Sequence, residues 1–132
     1  MALAQAMMAA VGIGCRRGAA AHAVVALVRD ALAAHGATGI AGLFTVEIKA
    51  DETGLRRAAE RLGAPLTFLP LERLAEAGGR ALTRSPRVAD LLGVPSVAEA
   101  AALAGAGPGS TLAGPRLARD GVTCALAWAG GA

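Results

Sequence analysis

The chain has 132 residues, 13 Lys and Arg against 10 Asp and Glu, and 55% hydrophobic residues. That length suits one domain with its own core, and the apolar content excludes a disordered chain. About a quarter of the residues are alanine, and only Phe44, Phe68 and Trp128 are aromatic. The mean hydropathy of +0.51 therefore overstates the large apolar surface available for burial. No run of 18 large apolar residues suggests a membrane span. A net charge of +3 and so few stacking aromatics argue against a nucleic-acid partner. They leave room for an anionic small molecule if the cations converge.

Residues 6–13 form an apolar run that suits a buried strand, preceded by a frayed start with no basic segment of a signal peptide. Gly14-Cys15-Arg16-Arg17-Gly18 reads as a loop. Residues 19–35 carry a helical stripe of Val24, Val25, Leu27, Val28, Ala31 and Leu32, stopped by Gly36. Residues 40–48 read as a second strand, with Thr45, Glu47 and Lys49 on one face and Val46 and Ile48 on the other. Asp51 and Glu52 open a helix that ends at Gly63. A third strand over 66–69 and a short helix over 71–77 follow. Ser85-Pro86 starts a further helix ending at Gly93. Ser96 and Glu99 have capping-box spacing ahead of an alanine-rich helix to about residue 104. Residues 110–118 and 122–128 read as two strands joined through Asp120-Gly121, a hairpin signal.

Strand–helix alternation implies right-handed crossovers and parallel pairing. The expected fold is a single α/β domain over 1–132. It is a three-layer α/β/α sandwich with a mixed, mostly parallel sheet and a C-terminal antiparallel hairpin.

Ligands of open α/β sheets sit at the carboxyl ends of the strands. Two loops should lie there. In Gly12-Ile13-Gly14-Cys15-Arg16-Arg17-Gly18, glycines permit close backbone approach, the next helix offers amides, and Arg16 and Arg17 offer forked donors for carboxylates or phosphates. The spacing is not that of a dinucleotide fingerprint. In Thr45-Val46-Glu47-Ile48-Lys49-Ala50-Asp51-Glu52, Lys49 is the only lysine beside twelve arginines. Candidate ligand contacts are Gly12, Gly14, Cys15, Arg16, Arg17, Thr45, Glu47 and Lys49. Catalytic candidates are Cys15, Glu47 and Asp51, with Cys15 placed where a helix dipole and two arginines could lower its pKa. His22 and His35 are the only histidines and have no evident Asp partner. Cys124 falls inside a strand and reads as core. No metal-ligand spacing occurs, so neither metal nor cofactor is expected. The two distant cysteines suggest reduced thiols in a cytoplasm.

Five segments in this order resemble one family. They are the 12–18 loop; the 45–52 segment followed by Gly54-Leu55; Ser85 with Val88; Gly93-Val94-Pro95-Ser96-Val97-Ala98-Glu99-Ala100-Ala101-Ala102-Leu103; and Val122-Thr123-Cys124-Ala125-Leu126-Ala127. The family is that of CobE and the homologous C-terminal domain of CbiG, in cobalamin biosynthesis. The resemblance implies a role in building the corrin ring. CbiG-type proteins open a lactone on a cobalt-precorrin and release acetaldehyde in the anaerobic route. A match to their C-terminal domain alone favours the stand-alone type of the aerobic route, a binder or carrier of a precorrin or hydrogenobyrinic-acid-type tetrapyrrole. The alternative is an enzyme acting on a precorrin side chain, a precorrin-5A-type lactone hydrolase. Other corrin-pathway enzymes are candidate partners.

Overall fold

A computed structural model describes residues 7–84 and 93–130. Strand β1 (Met8–Cys15) lies at the centre of the sheet, with β2 (Gly39–Val46) and β3 (Leu66–Leu69) parallel to it on one side. On the other side β6 (Val122–Trp128) runs antiparallel and carries both β4 (Thr111–Leu112) and β5 (Leu117–Arg119). Helices α1 (Ala21–His35) and α2 (Thr53–Leu62) cover one face. Helices α3 (Leu71–Ala77) and α4 (Val97–Ala106) cover the other. The three-layer architecture with a mixed sheet is the one expected.

The two faces are built from different residues. Towards α1 and α2 the strands send Val11, Ile13, Leu43, Val122 and Leu126, all at most 1% exposed. These meet the stripe Val24, Leu27, Val28 and Ala31 of α1, which closes at Gly36 in a left-handed conformation (φ 69°). Towards α4 the central strands β1 and β6 present almost no side chain, while β2 packs the Phe44 ring against Gly105. Gly12 and Gly14 of β1 and Ala125 and Ala127 of β6 face a helix whose residues Val97 to Ala104 are all buried. A Cβ added at Gly12 would lie 1.9 Å from the Ala98 carbonyl oxygen and 2.5 Å from the Ala102 nitrogen. The alanine that looked like a thin core is the means by which helix backbone and sheet backbone approach each other. Dispersion there comes from close atoms rather than from large side chains.

Several local expectations are corrected. Strand β2 ends at Val46, and Glu47–Lys49 is a turn of 3-10 helix, closed by the Ala50 N–H donating to the Glu47 carbonyl at 2.9 Å. Helix α2 starts at Thr53 with no acid in its first turn, and α1 starts at Ala21, beyond the loop whose ligand its amides were expected to meet. The capping box is half formed. Ser96 Oγ accepts from the Glu99 N–H at 3.3 Å, but the Glu99 carboxylate turns elsewhere. It is fully buried and accepts from the Leu82 N–H (2.8 Å), the Thr83 N–H (2.7 Å), the Thr83 hydroxyl (2.7 Å) and the Arg116 N–H (2.9 Å). The strand expected over 110–118 is two short pieces. The Asp120-Gly121 turn holds, with φ of 54° and 77°, the paired positive values of a tight hairpin turn. The helix expected after Ser85 lies outside the described residues.

Candidate functional site

The parallel strands β1 and β2 deliver their carboxyl ends side by side, so the segment after Cys15 meets the segment after Val46. What joins them is Glu52. Its carboxylate accepts from the Gly18 N–H at 2.7 Å, tying the 15–18 loop to the start of α2. The Glu52 N–H donates in turn to the Lys49 carbonyl at 3.0 Å, so the whole 47–52 segment is a chain of short-range turns. Sequence reading placed Glu52 only as a helix acid. The structure makes it the N-cap of α2, beside an exposed Asp51.

Arg16 is exposed and fixed from two sides. Its backbone N–H donates to the Gly121 carbonyl at 2.9 Å, and its stem lies over Gly121, where an added Cβ would meet Arg16 Cδ at 3.2 Å. The β5–β6 hairpin thus supports the arginine from behind. Arg17 is exposed beside it, and Lys49 is half-buried. Among the described residues none of these three cations forms an ion pair, whereas Arg119 is held by Asp30 at 2.7 Å. Glu47 and Asp51 are exposed on the second segment, so the cations concentrate on the β1 loop and at Lys49.

Cys15 is half-buried between the two segments. Burial pushes its thiol up from the ordinary range; the nearby Lys49 ammonium opposes this and the Glu52 carboxylate reinforces it. The expected lowering of its pKa is therefore reversed, and Cys15 stands as a neutral thiol rather than a thiolate nucleophile. Cys124 is buried in β6, with its thiol pushed up to about 12 by desolvation.

Three expected contacts belong to the scaffold instead. Gly12 and Gly14 are strand residues facing α4, not loop residues facing a ligand. Thr45 is fully buried, and its hydroxyl donates to the Ile13 carbonyl at 2.7 Å across the β1–β2 pair. Since the strand stops at Val46, Thr45, Glu47 and Lys49 do not share a strand face. The residues carried by the two adjoining segments are Cys15, Arg16, Arg17, Lys49 and Glu52, with Glu47 and Asp51; Cys15 lies near Lys49 and Glu52, while Arg16 leans over Gly121 on the β6 side.

A groove of about 490 Å³ lies elsewhere, along the outside of α1 and α2, lined by His22, Val25, Ala26, Arg29 and Arg61. It contains none of the residues of these two segments. Among the described residues no group of three or more His, Cys, Asp and Glu could hold a metal ion, and no helix is long and apolar enough to cross a membrane.

Fold and site together define a three-layer α/β domain with an open, charged loop cluster at the carboxyl end of its parallel strands. Residues 9–127 match the family model for the cobalamin synthesis G C-terminus. The chain belongs to this cobalamin-biosynthesis family, that of CobE and the C-terminal domain of CbiG. Protein CobE of a Sinorhizobium species is 34% identical over 118 residues, 88% of this chain and 77% of that protein. The crystal structure of CobE, a protein from the cobalamin (vitamin B12) biosynthetic pathway, matches with a TM-score of 0.85 and 38% identity, over 92% of this chain and 89% of that one. The cobalamin biosynthesis protein ChiG of Agrobacterium tumefaciens matches at 0.74 and 45% identity, over 92% and 98%. A cobalamin biosynthesis protein G homologue from Sulfolobus solfataricus, 16% identical, shares the fold (TM-score 0.64) over 97% of this chain and 38% of its own.

Proposed function

We propose that this protein binds and carries a precorrin-type tetrapyrrole of the aerobic corrin pathway at the open end of its sheet. The observation that supports this reading is the junction of the two loops through Glu52 and Gly18, which ties together the neighbouring segments that carry Arg16, Arg17 and Lys49. A precorrin is a broad amphiphilic ring rimmed with carboxylates. Dispersed cations on a rigid, open rim suit such a ligand better than a closed cleft would, and arginine forks match carboxylate geometry. Membership of a cobalamin-biosynthesis family supports the ligand class, and the adjoining charged loops support the place.

The carrier reading is favoured over a lactone hydrolase by the state of Cys15. Burial raises its thiol above the ordinary range, and neither histidine stands beside it as a base, His22 lying in the outer groove of α1 and His35 against Gly114. Glu47 and Asp51, the other candidates, are exposed and have no hydrogen-bond partner that would orient them among the described residues. Handing the ligand to a corrin-pathway enzyme would then be the purpose of an open site.

The test is an absorbance titration of the purified protein with hydrogenobyrinic acid. Saturable binding at micromolar concentration supports the reading, and no spectral change at tens of micromolar removes it. Product formation from a precorrin lactone by the protein alone would favour the hydrolase.

A further inference from the structure

Ile48 should have been covered. In a strand running through residue 48 its side chain would share the inner face with Val46, which is 1% exposed. Instead the chain leaves the sheet at Val46 and enters the 3-10 turn Glu47–Lys49, leaving Ile48 68% exposed. It is the most exposed of the large apolar side chains among the described residues. The turn is not loose. The hydrogen bonds from Ala50 N–H to the Glu47 carbonyl and from Glu52 N–H to the Lys49 carbonyl close it, and the Glu52–Gly18 bond anchors it to the neighbouring loop. An isoleucine is thus held outward on a fixed support, next in sequence to Lys49 and at the end of the sheet where Arg16 and Arg17 stand.

We infer that Ile48 is the apolar contact of the binding site, resting against the face of the macrocycle while the cations hold its carboxylates. The inference rests on the tetrapyrrole reading given above. The cations alone supply only half of what an amphiphilic ring needs, because a site for such a ligand pairs apolar surface with a few charged anchors. At the end of β1 and β2 a side chain standing out from the surface is what can meet the apolar face of the ring. Ile48 is the large apolar side chain that stands out from these two loops.

The experiment is the hydrogenobyrinic acid titration repeated with Ile48→Ser and Ile48→Leu at two salt concentrations. Ile48 is 68% exposed, so both variants should melt close to the wild type. Ile48→Ser is expected to bind about tenfold more weakly, the loss that follows from removing most of one branched side chain's burial. Its salt dependence should be unchanged, since no charge has been removed. Ile48→Leu should bind within about twofold of the wild type, because the apolar area is kept. Wild-type affinity in Ile48→Ser, with the wild type itself binding, overturns the inference and leaves the carrier reading standing. No binding by the wild type overturns both.

Discussion

Gly12→Ala separates two accounts of the same glycine. If Gly12 gives a ligand room, an added methyl should weaken binding and leave the fold intact. If Gly12 lets α4 lie against the sheet, the methyl should strike the helix. The built Cβ sits 1.9 Å from Ala98 O and 2.5 Å from Ala102 N, where ordinary contacts begin near 3.4 Å. Both atoms are helix backbone and cannot rotate away, so α4 must withdraw by about 1.5 Å. Withdrawal on that scale forfeits a large part of the dispersion along a helix that is buried from Val97 to Ala104. Overpacking costs about 1–3 kcal/mol where side chains can adjust, so roughly 3 kcal/mol or more is expected here. That corresponds to a fall in Tm on the order of 10 °C. Gly14→Ala is the control. Its nearest obstacle is the Thr123 hydroxyl at 2.6 Å, a side-chain atom able to turn, and about 1 kcal/mol is expected. Thermal and urea unfolding followed by circular dichroism measure both. A Gly12→Ala protein that melts with the wild type would refute the packing argument, decisively so if it also lost the ligand.

Three further outcomes follow from the same geometry. Glu99→Gln puts an amide NH₂ where one carboxylate oxygen now accepts from backbone donors, and should cost about 2–4 kcal/mol in urea unfolding with faster amide exchange at Leu82, Thr83 and Arg116; unchanged exchange would contradict the hub role. Cys124, raised from 9.0 to about 12 in the fold, contributes stability that is complete below pH 9 and lost as pH climbs towards 12, about 4 kcal/mol in all; the gap in stability between wild type and Cys124→Ala should therefore change steadily above pH 9, and a constant gap would contradict it. Arg16→Ala and Lys49→Ala should each weaken hydrogenobyrinic acid binding by about 1–3 kcal/mol and flatten its salt dependence, with unchanged affinity in both counting against the site.

What the sequence made legible was whatever is decided locally. Leu66–Leu69 and Leu71–Ala77 have the boundaries expected, because proline, glycine and short apolar runs settle them without distant partners. Asp120-Gly121 forms its turn for the same reason. The errors lie where a distant segment decides. Nothing near Gly12 reveals that α4, far down the chain, will press on it. Alternation through Ile48 resembles a strand until Glu52 binds the Gly18 amide and draws the chain into a turn. Ser96 and Glu99 have capping spacing, yet four donors from two other segments outbid the single amide that a capping box would satisfy. At the site, Arg16, Arg17 and Lys49 were legible as cations on adjoining loops. Thr45 was not legible as scaffold, since its hydroxyl partner is a carbonyl on the neighbouring strand.

The central claim is a place as much as a ligand, and amide chemical-shift mapping during titration with hydrogenobyrinic acid tests both at once. The account predicts saturable shifts centred on Cys15, Arg16, Arg17 and Gly18 and on Glu47 to Glu52. Shifts centred instead on His22, Arg29 and Arg61 along the outer groove of α1 and α2, with the sheet end unmoved, would contradict it.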